Sequence, residues 1–343
     1  PRAAKESGLR AGTPVVAGMA QIDFFAEDIA IDPSNQWALV TDGGWQPKVA
    51  VLNIPSRSWV PAGYDAVTGE PYSWRIVTDE GDPDDPKDDL PAYANSVAIA
   101  PDGRTVIVGD YFGFPSTLEP GLHILLLDPA TGSLTYSQSS EVLWKQGAER
   151  YTPFPVLYRP VNVAISPDGR TVIAVNAHRS TSNPHDQDPN AIFEGCNLAV
   201  FTIDAPGHIT RRKDVIFPYR IDGGQSLVFS PDGSRAYLHT IYQDDVPVPY
   251  DDDFFYWYPE IQVLAVDGPG RVRRIGSMRS PTERGSSQLF GVDILAITPD
   301  GKYLYATNPT FSGARPVIDV YDLVTQRHIK RIGCPTMYPD PLR

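Results

Sequence analysis

One short pattern recurs five times along the chain: an apolar run, a turn centred on proline, and a second apolar run. The copies read DIAIDPSNQWALVTD from Asp28, SVAIAPDGRTVIVGD from Ser96, NVAISPDGRTVIAVN from Asn162, SLVFSPDGSRAYLHT from Ser226 and ILAITPDGKYLYATN from Ile294. Their prolines are Pro33, Pro101, Pro167, Pro231 and Pro299, spaced by 68, 66, 64 and 68 residues. A period this regular means equal supersecondary units stacked on one another. It overrides the two or three domains that 343 residues alone would allow.

Each copy has a physical reading. The apolar, partly β-branched run is a strand buried on both faces. In Pro-Asp-Gly the proline presets φ, the aspartate bonds nearby backbone, and the glycine takes positive φ, so the turn leads into a second antiparallel strand. Further on, third strands end in Asp with turns of their own, as in LHILLLDPATGSLTY from Leu122, IQVLAVDGPGRVRRI from Ile261 and IDVYDLVTQRHIKRI from Ile318. Four antiparallel strands per unit make a propeller blade. The predicted fold is therefore all-β: a single β-propeller over 1–343 with five blades, spanning 23–80, 94–142, 160–217, 223–278 and 291–334. Six blades is the alternative if chain is missing. Residues 12–22 are expected to pair with the last blade and close the ring, because an open ring leaves a reactive strand edge. The stretch Glu141–Glu149 offers at most a turn or two of helix.

The net charge is −13, from 42 acidic and 29 basic residues. That balance argues against nucleic acid, whose affinity rests on Lys and Arg neutralising phosphates. It fits a cation, a basic partner or simple solubility. No apolar run approaches the roughly 18 residues of a transmembrane helix. Cys196 and Cys334 fit no zinc or haem spacing; one disulfide and two separate thiols remain the alternatives. The start at Pro1, without initiator methionine or signal peptide, reads as trimmed or processed. There is no nucleophile elbow, H-E-x-x-H, Walker loop or dinucleotide fingerprint. An enzymatic reading therefore needs metal or acid–base groups assembled from several blades.

Candidate functional residues lie where long connections gather on one face. These are Gly109–Gly121, Asn176–Cys196, His239–Pro259 and Thr307–Pro316 between second and third strands, with Trp59–Ala94 and Glu141–Val161 leading into first strands. Rigid scaffolds carry function on such loops. His178, His185 and Asp186 share one of them, and His239 follows the matching strand of the next blade. His178 and His239 are the candidate general bases of a catalytic reading, against hydrogen-bonding histidines of a polar loop. The stretch Gln243–Pro259 sets five aspartates beside Phe254, Phe255, Tyr256, Trp257 and Tyr258. Crowded carboxylates suit a hard cation such as calcium. Tyr256, Trp257 and Tyr258, with His185 and Asp186, are the candidate ligand-binding residues, although the aromatics would equally pin a long loop to the propeller. Asp79–Asp89 reads as a solvated acidic loop.

Six residues before each repeat proline stand Glu27, Asn95, Val161, Gln225 and Asp293. Equivalent positions on the blades converge on one axis. Glu27, Asn95, Asn162 (beside Val161), Gln225 and Asp293 are thus candidate metal ligands, with calcium in the central channel as candidate cofactor. Polar strand ends wetted by channel water are the plainer account.

The Ser-Pro-Asp-Gly unit, with its downstream Asp-x-x-Thr-Gly strand pair, resembles the YVTN and lactonase-like propeller repeats over the whole chain. The blades here carry roughly 20 residues more than that family's usual repeat. The resemblance implies an extracytoplasmic protein, periplasmic, secreted or at the cell surface. It also implies one of three roles: a binding or scaffold module for an unidentified protein or small ligand; a calcium-dependent lactonase-like hydrolase working at the channel mouth; or a subunit of a larger redox or surface assembly, which would show a broad apolar patch.

Overall fold

The computed structural model describes residues 26–42, 48–60, 63–64, 71–72, 74–75, 92–112, 122–138, 160–176, 197–213, 215–217, 221–248, 251–279, 285–286, 294–308 and 317–333. Among these residues there is no helix, and so none long and apolar enough to cross a membrane. Among the described residues, five antiparallel sheets of four or five strands follow one another along the chain, with a sixth, two-stranded sheet after the first.

Blade one is β1 (Ala26–Ile31), β2 (Trp37–Asp42), β3 (Lys48–Asn53) and β4 (Ser58–Val60), followed by the short β5 (Gly63–Tyr64), β6 (Pro71–Tyr72) and β7 (Trp74–Arg75). Blade two is β8 (Ala92–Ile99), β9 (Thr105–Phe112), β10 (Leu122–Leu127) and β11 (Leu134–Gln138). Blade three is β12 (Pro160–Ile165), β13 (Thr171–Asn176), β14 (Asn197–Ala205) and β15 (His208–Arg211), with β16 (Val215–Ile216) added to β14. Blade four is β17 (Ile221–Phe229), β18 (Arg235–Val248), β19 (Asp251–Gly268) and β20 (Arg271–Arg279), with β21 (Gly285–Ser286) added to β19. Blade five is β22 (Leu295–Ile297), β23 (Tyr303–Asn308), β24 (Val317–Asp322) and β25 (Arg327–Gly333). First strands pack in succession, β1 on β8, β8 on β12, β12 on β17 and β17 on β22, which makes them the inner wall.

The turn chemistry is as the residues dictate. Gly103, Gly169, Gly233 and Gly301 stand at φ of +67°, +70°, +70° and +69°. Each turn aspartate accepts from the amide two residues on, as Asp168 does from Arg170 at 3.0 Å and Asp232 from Ser234 at 3.0 Å. Blade one spells the turn differently: Asn35 takes the positive φ, and Asp32, one place before the proline, accepts from Gln36 and Trp37. Each turn glycine faces the proline of the preceding blade: a Cβ built there would stand 3.9 Å from Pro33 at Gly103, 3.2 Å from Pro101 at Gly169, 3.5 Å from Pro167 at Gly233 and 3.5 Å from Pro231 at Gly301.

Alternation along the strands sends successive side chains to opposite blade faces, so the core divides into joints between blades. Leu39, Val49 and Val51 meet Val97, Val106 and Val108 between blades one and two. Ile107 and Ile124 meet Val163, Val172 and Phe201 at the next joint. Ile173 and Val175 meet Leu227, Leu238 and Leu264 between blades three and four. Tyr237 and Val263 meet Leu295, Leu304 and Tyr321 between four and five.

Candidate functional site

The inner strands are regular near the Pro-centred turns and irregular at their other ends. In β1 the register passes from Ala26↔Asp42 to Ile29↔Val40, which leaves one extra residue on the inner strand. The same break separates Ala94↔Asp110 from Ser96↔Gly109 in β8. It separates Pro160↔Asn176 from Asn162↔Val175 in β12. In β17 the gap between Asp222↔Ile241 and Ser226↔His239 holds two extra residues. Glu27, Asn95, Val161 and Gln225 all fall inside these breaks. A bulge bends a strand and re-aims a side chain, and bulges gather at rims and next to binding sites. Glu27 is exposed and Asn95 half-buried.

One place nearer the turn, the side chains do something else. The Asp28 carboxylate accepts from the Val97 amide of blade two at 2.9 Å and from the Ile29 amide at 2.8 Å. The Ser226 hydroxyl accepts from the Leu295 amide of blade five at 3.1 Å. The Val97 and Leu295 amides lie on the free edge of an inner strand, where no ladder partner exists. The preceding blade supplies the acceptor, as an unpaired amide requires. The half-buried Asn162 holds this clasp position in blade three, not the place of Val161 in the bulge, and Ser96 holds it in blade two. Ser96 is buried, and its Oγ has no hydrogen-bond partner among the described residues.

Burial pushes the Asp28 carboxyl above its ordinary value of 3.8, against the lowering effect of the Val97 and Ile29 amides. A raised carboxyl pKa means that the folded state binds its proton more tightly than the unfolded chain does. Its contribution is complete below about pH 3.8 and is lost as pH rises through the folded value. Asp28→Asn is therefore expected to be at least as stable as the parent at pH 7, and to flatten that part of the stability–pH curve. Asp28→Ala leaves the Val97 amide without its acceptor and is expected to fall about 1–3 kcal/mol below Asp28→Asn. Urea unfolding at pH 4 and pH 7 checks both; equal stability of the two variants would rule out the clasp.

His239 is buried and sits opposite Ser226 at the β17 break. Tyr256, Trp257 and Tyr258 lie within β19, where Tyr258 pairs with Tyr242, Trp257 with Gln243 and Gly285, and Tyr256 with Ser286. Of the stretch Gln243–Pro259, expected as a loop, residues 243–248 and 251–259 are instead the far parts of the long strands β18 and β19, which pair with each other. β18 ends 17 residues after Pro231, whereas β2, β13 and β23 end nine residues after their prolines (248 − 231, against 42 − 33, 176 − 167 and 308 − 299). In this arm β18 therefore runs eight residues further than those strands do, with register shifts between Gln243 and Pro247 and between Pro247 and Val248 along the way.

His178, His185, Asp186, Asp293, Cys196, Cys334 and residues 12–22 lie outside the described residues, as does Glu141–Glu149; Gln225 is described in its backbone alone. Among the described residues no group of three or more His, Cys, Asp or Glu side chains is arranged to hold a metal. Sequence reasoning passed over Asp28, although the repeat shows the signal: Asp28, Ser96, Asn162 and Ser226 each open an otherwise apolar run.

Fold and site together define a five-bladed β-propeller in which four inner strands are bulged at one mouth and polar side chains clasp blade one to blade two and blade four to blade five. No family model and no curated protein matches the chain. Among solved structures it is similar to a functionally unknown protein from Desulfotomaculum acetoxidans, at 16% identity and a TM-score of 0.47, over 91% of this chain and 71% of that one. It is also similar to Kuenenia stuttgartiensis hydrazine synthase, at 16% identity and a TM-score of 0.43, over 94% of this chain and 90% of that one.

Proposed function

We propose that the protein is an extracytoplasmic binding or scaffold propeller, engaging a protein or ligand through the face from which the blade-four arm projects. The arm carries this reading. No other described hairpin runs so far past its blade, and its far part bears Asp244, Asp245 and Asp251–Asp253 beside the aromatic run 254–258. An arm held by two strands presents such residues with less ordering cost than a floppy loop. The likeness of the repeats to YVTN and lactonase-like units supports the extracytoplasmic setting.

A second reading, a calcium-dependent hydrolase of lactonase type at the channel mouth, draws support from the bulges that hold Glu27, Asn95 and Gln225. Asn162 and Asp293 would complete its ligands, with His178 or His239 as general base.

Thermal unfolding with excess calcium and then with chelator separates the two. The proteins compared are the parent, Glu27→Ala, Asp293→Ala, and a variant with residues 243–257 replaced by Asn-Gly. An ion at about 100 times its dissociation constant adds about 2.7 kcal/mol. A calcium shift lost in Glu27→Ala and Asp293→Ala supports the hydrolase and justifies a lactone screen. A shift lost only with the arm places the ion there. No shift in any protein sinks the metal reading. The binding reading then predicts that a partner retained from extracytoplasmic extract by the parent is not retained by the shortened arm; equal retention overturns it.

A further inference from the structure

Every joint between successive blades is built to one rule. The residue four places before the repeat proline packs backward onto the preceding blade, and the residue six places after it packs forward onto the next. Backward, Val97, Val163, Leu227 and Leu295 are 5%, 6%, 4% and 5% exposed. Forward, Leu39, Ile107, Ile173 and Tyr237 are 0%, 0%, 0% and 2% exposed. Both halves of the rule are present at the two ends of the series, and both are uncovered. Ile29 of blade one is 58% exposed and Tyr305 of blade five is 37% exposed. Ile31, at 55%, and Tyr303, at 37%, extend the same two faces. Among the described residues, β22 does not pack on β1 as the other first strands pack on one another.

We infer that the seam between blades five and one is an interaction surface that receives one further four-stranded β-blade. The faces themselves specify its chemistry. The blade offers aliphatic first-strand residues to Tyr303 and Tyr305, and its forward face accepts Ile29 and Ile31. Continuity with four existing joints carries the inference, since any sheet obeying their rule fits both faces at once. A slot of this kind leaves apolar side chains in water until it is filled, which marks a protein-binding surface rather than an ordinary exterior. Six blades also lie within the range over which propellers close.

The test uses the full chain with Cys196→Ser and Cys334→Ser as background. Ile29→Cys and Tyr305→Cys form the seam pair; Leu39→Cys and Val97→Cys form the matching pair in a closed joint. Under mild oxidation the closed pair is expected to crosslink within the monomer. The seam pair is expected not to crosslink, and to react freely with a bulky maleimide. A version lengthened at its C-terminal end by a second copy of residues 221–279 supplies a surrogate blade. In it, maleimide labelling at both seam positions is expected to fall at least about tenfold, the factor produced by about 1.4 kcal/mol of closure. A monomeric Ile29–Tyr305 crosslink at the yield of the closed pair would overturn the inference, because blades one and five would then meet directly. A crosslink between copies, with doubled mass by light scattering, would assign the seam to self-association and overturn it equally. Undiminished labelling in the lengthened chain would show that no blade fits and would overturn the inference; should that chain fail to fold, the same labelling is read with residues 221–279 added as a separate polypeptide, with the same two outcomes.

Discussion

Trp37→Ala is expected to lower the unfolding free energy by about 3–5 kcal/mol, the cost of emptying a large aromatic site that can only partly collapse. Trp37 is 6% exposed and belongs to the core shared by blades one and two. Its ring lies over the blade-two turn so closely that a Cβ built on Gly132 would stand 2.6 Å from a ring carbon. Its indole Nε1 donates to the Pro129 carbonyl of the same turn at 3.0 Å. The side chain therefore fastens one blade to the next by packing and by a directed hydrogen bond. Trp37→Phe keeps most of the packing and loses the donor, for a smaller cost of about 1 kcal/mol. Urea unfolding of the three proteins gives the comparison. A loss below about 1 kcal/mol for Trp37→Ala would show that this joint does not depend on the indole.

The second large effect is expected from Asp319→Asn, at about 3 kcal/mol near neutral pH. Asp319 is buried between β24 and β25. Its Oδ1 accepts from Arg331 Nε at 2.8 Å and lies 2.9 Å from His328 Nε2, while its Oδ2 accepts from Arg331 Nη2 at 2.8 Å. Burial alone would raise this carboxyl, but the hydrogen bonds from Arg331 and His328 outweigh it and hold the group below its usual range. Such a carboxyl contributes stability above its unfolded value, near 3.8, and loses it as pH falls through the lower folded value. The gap between parent and variant should be full at pH 7 and should close as the solution is acidified below about pH 4. Breaking one side of a buried ionic group is costly because the partner charge stays behind. Here Arg331 is 36% exposed and can turn partly to water, which keeps the figure at the lower end. A gap that does not change with pH would mean that the carboxylate charge is not what holds β25.

The architecture was legible because it is written five times. Alternating apolar residues, prolines at an almost constant period and an Asp-Gly pair after most of them leave few folds open, and the blades run where those residues require. The mouth was less legible. That Glu27, Asn95, Val161 and Gln225 would fall in bulges depends on which residues face them across the sheet, as Asp42 and Val40 face Ala26 and Ile29. Pairing register is a property of two strands, and the period of one strand does not contain it. The arm was hidden for a different reason. Pro247 and the aspartates around it are poor strand residues, so the stretch reads as loop. The structure absorbs them in register shifts between Gln243, Pro247 and Val248, and the ladder resumes on either side. Asp28 was visible as a repeated polar residue, but its task depends on the Val97 amide 69 residues away.

Each turn glycine faces the proline of the blade made before it: Gly103 faces Pro33, Gly169 Pro101, Gly233 Pro167 and Gly301 Pro231. Chains emerge from the ribosome N-terminal end first, at about 5–20 residues per second. A repeat of about 66 residues thus takes several seconds to appear, while hairpins form in about 1–10 μs. Every blade after the first therefore arrives at a seat already made, and the propeller can be assembled during synthesis one sector at a time, in a single rotational direction.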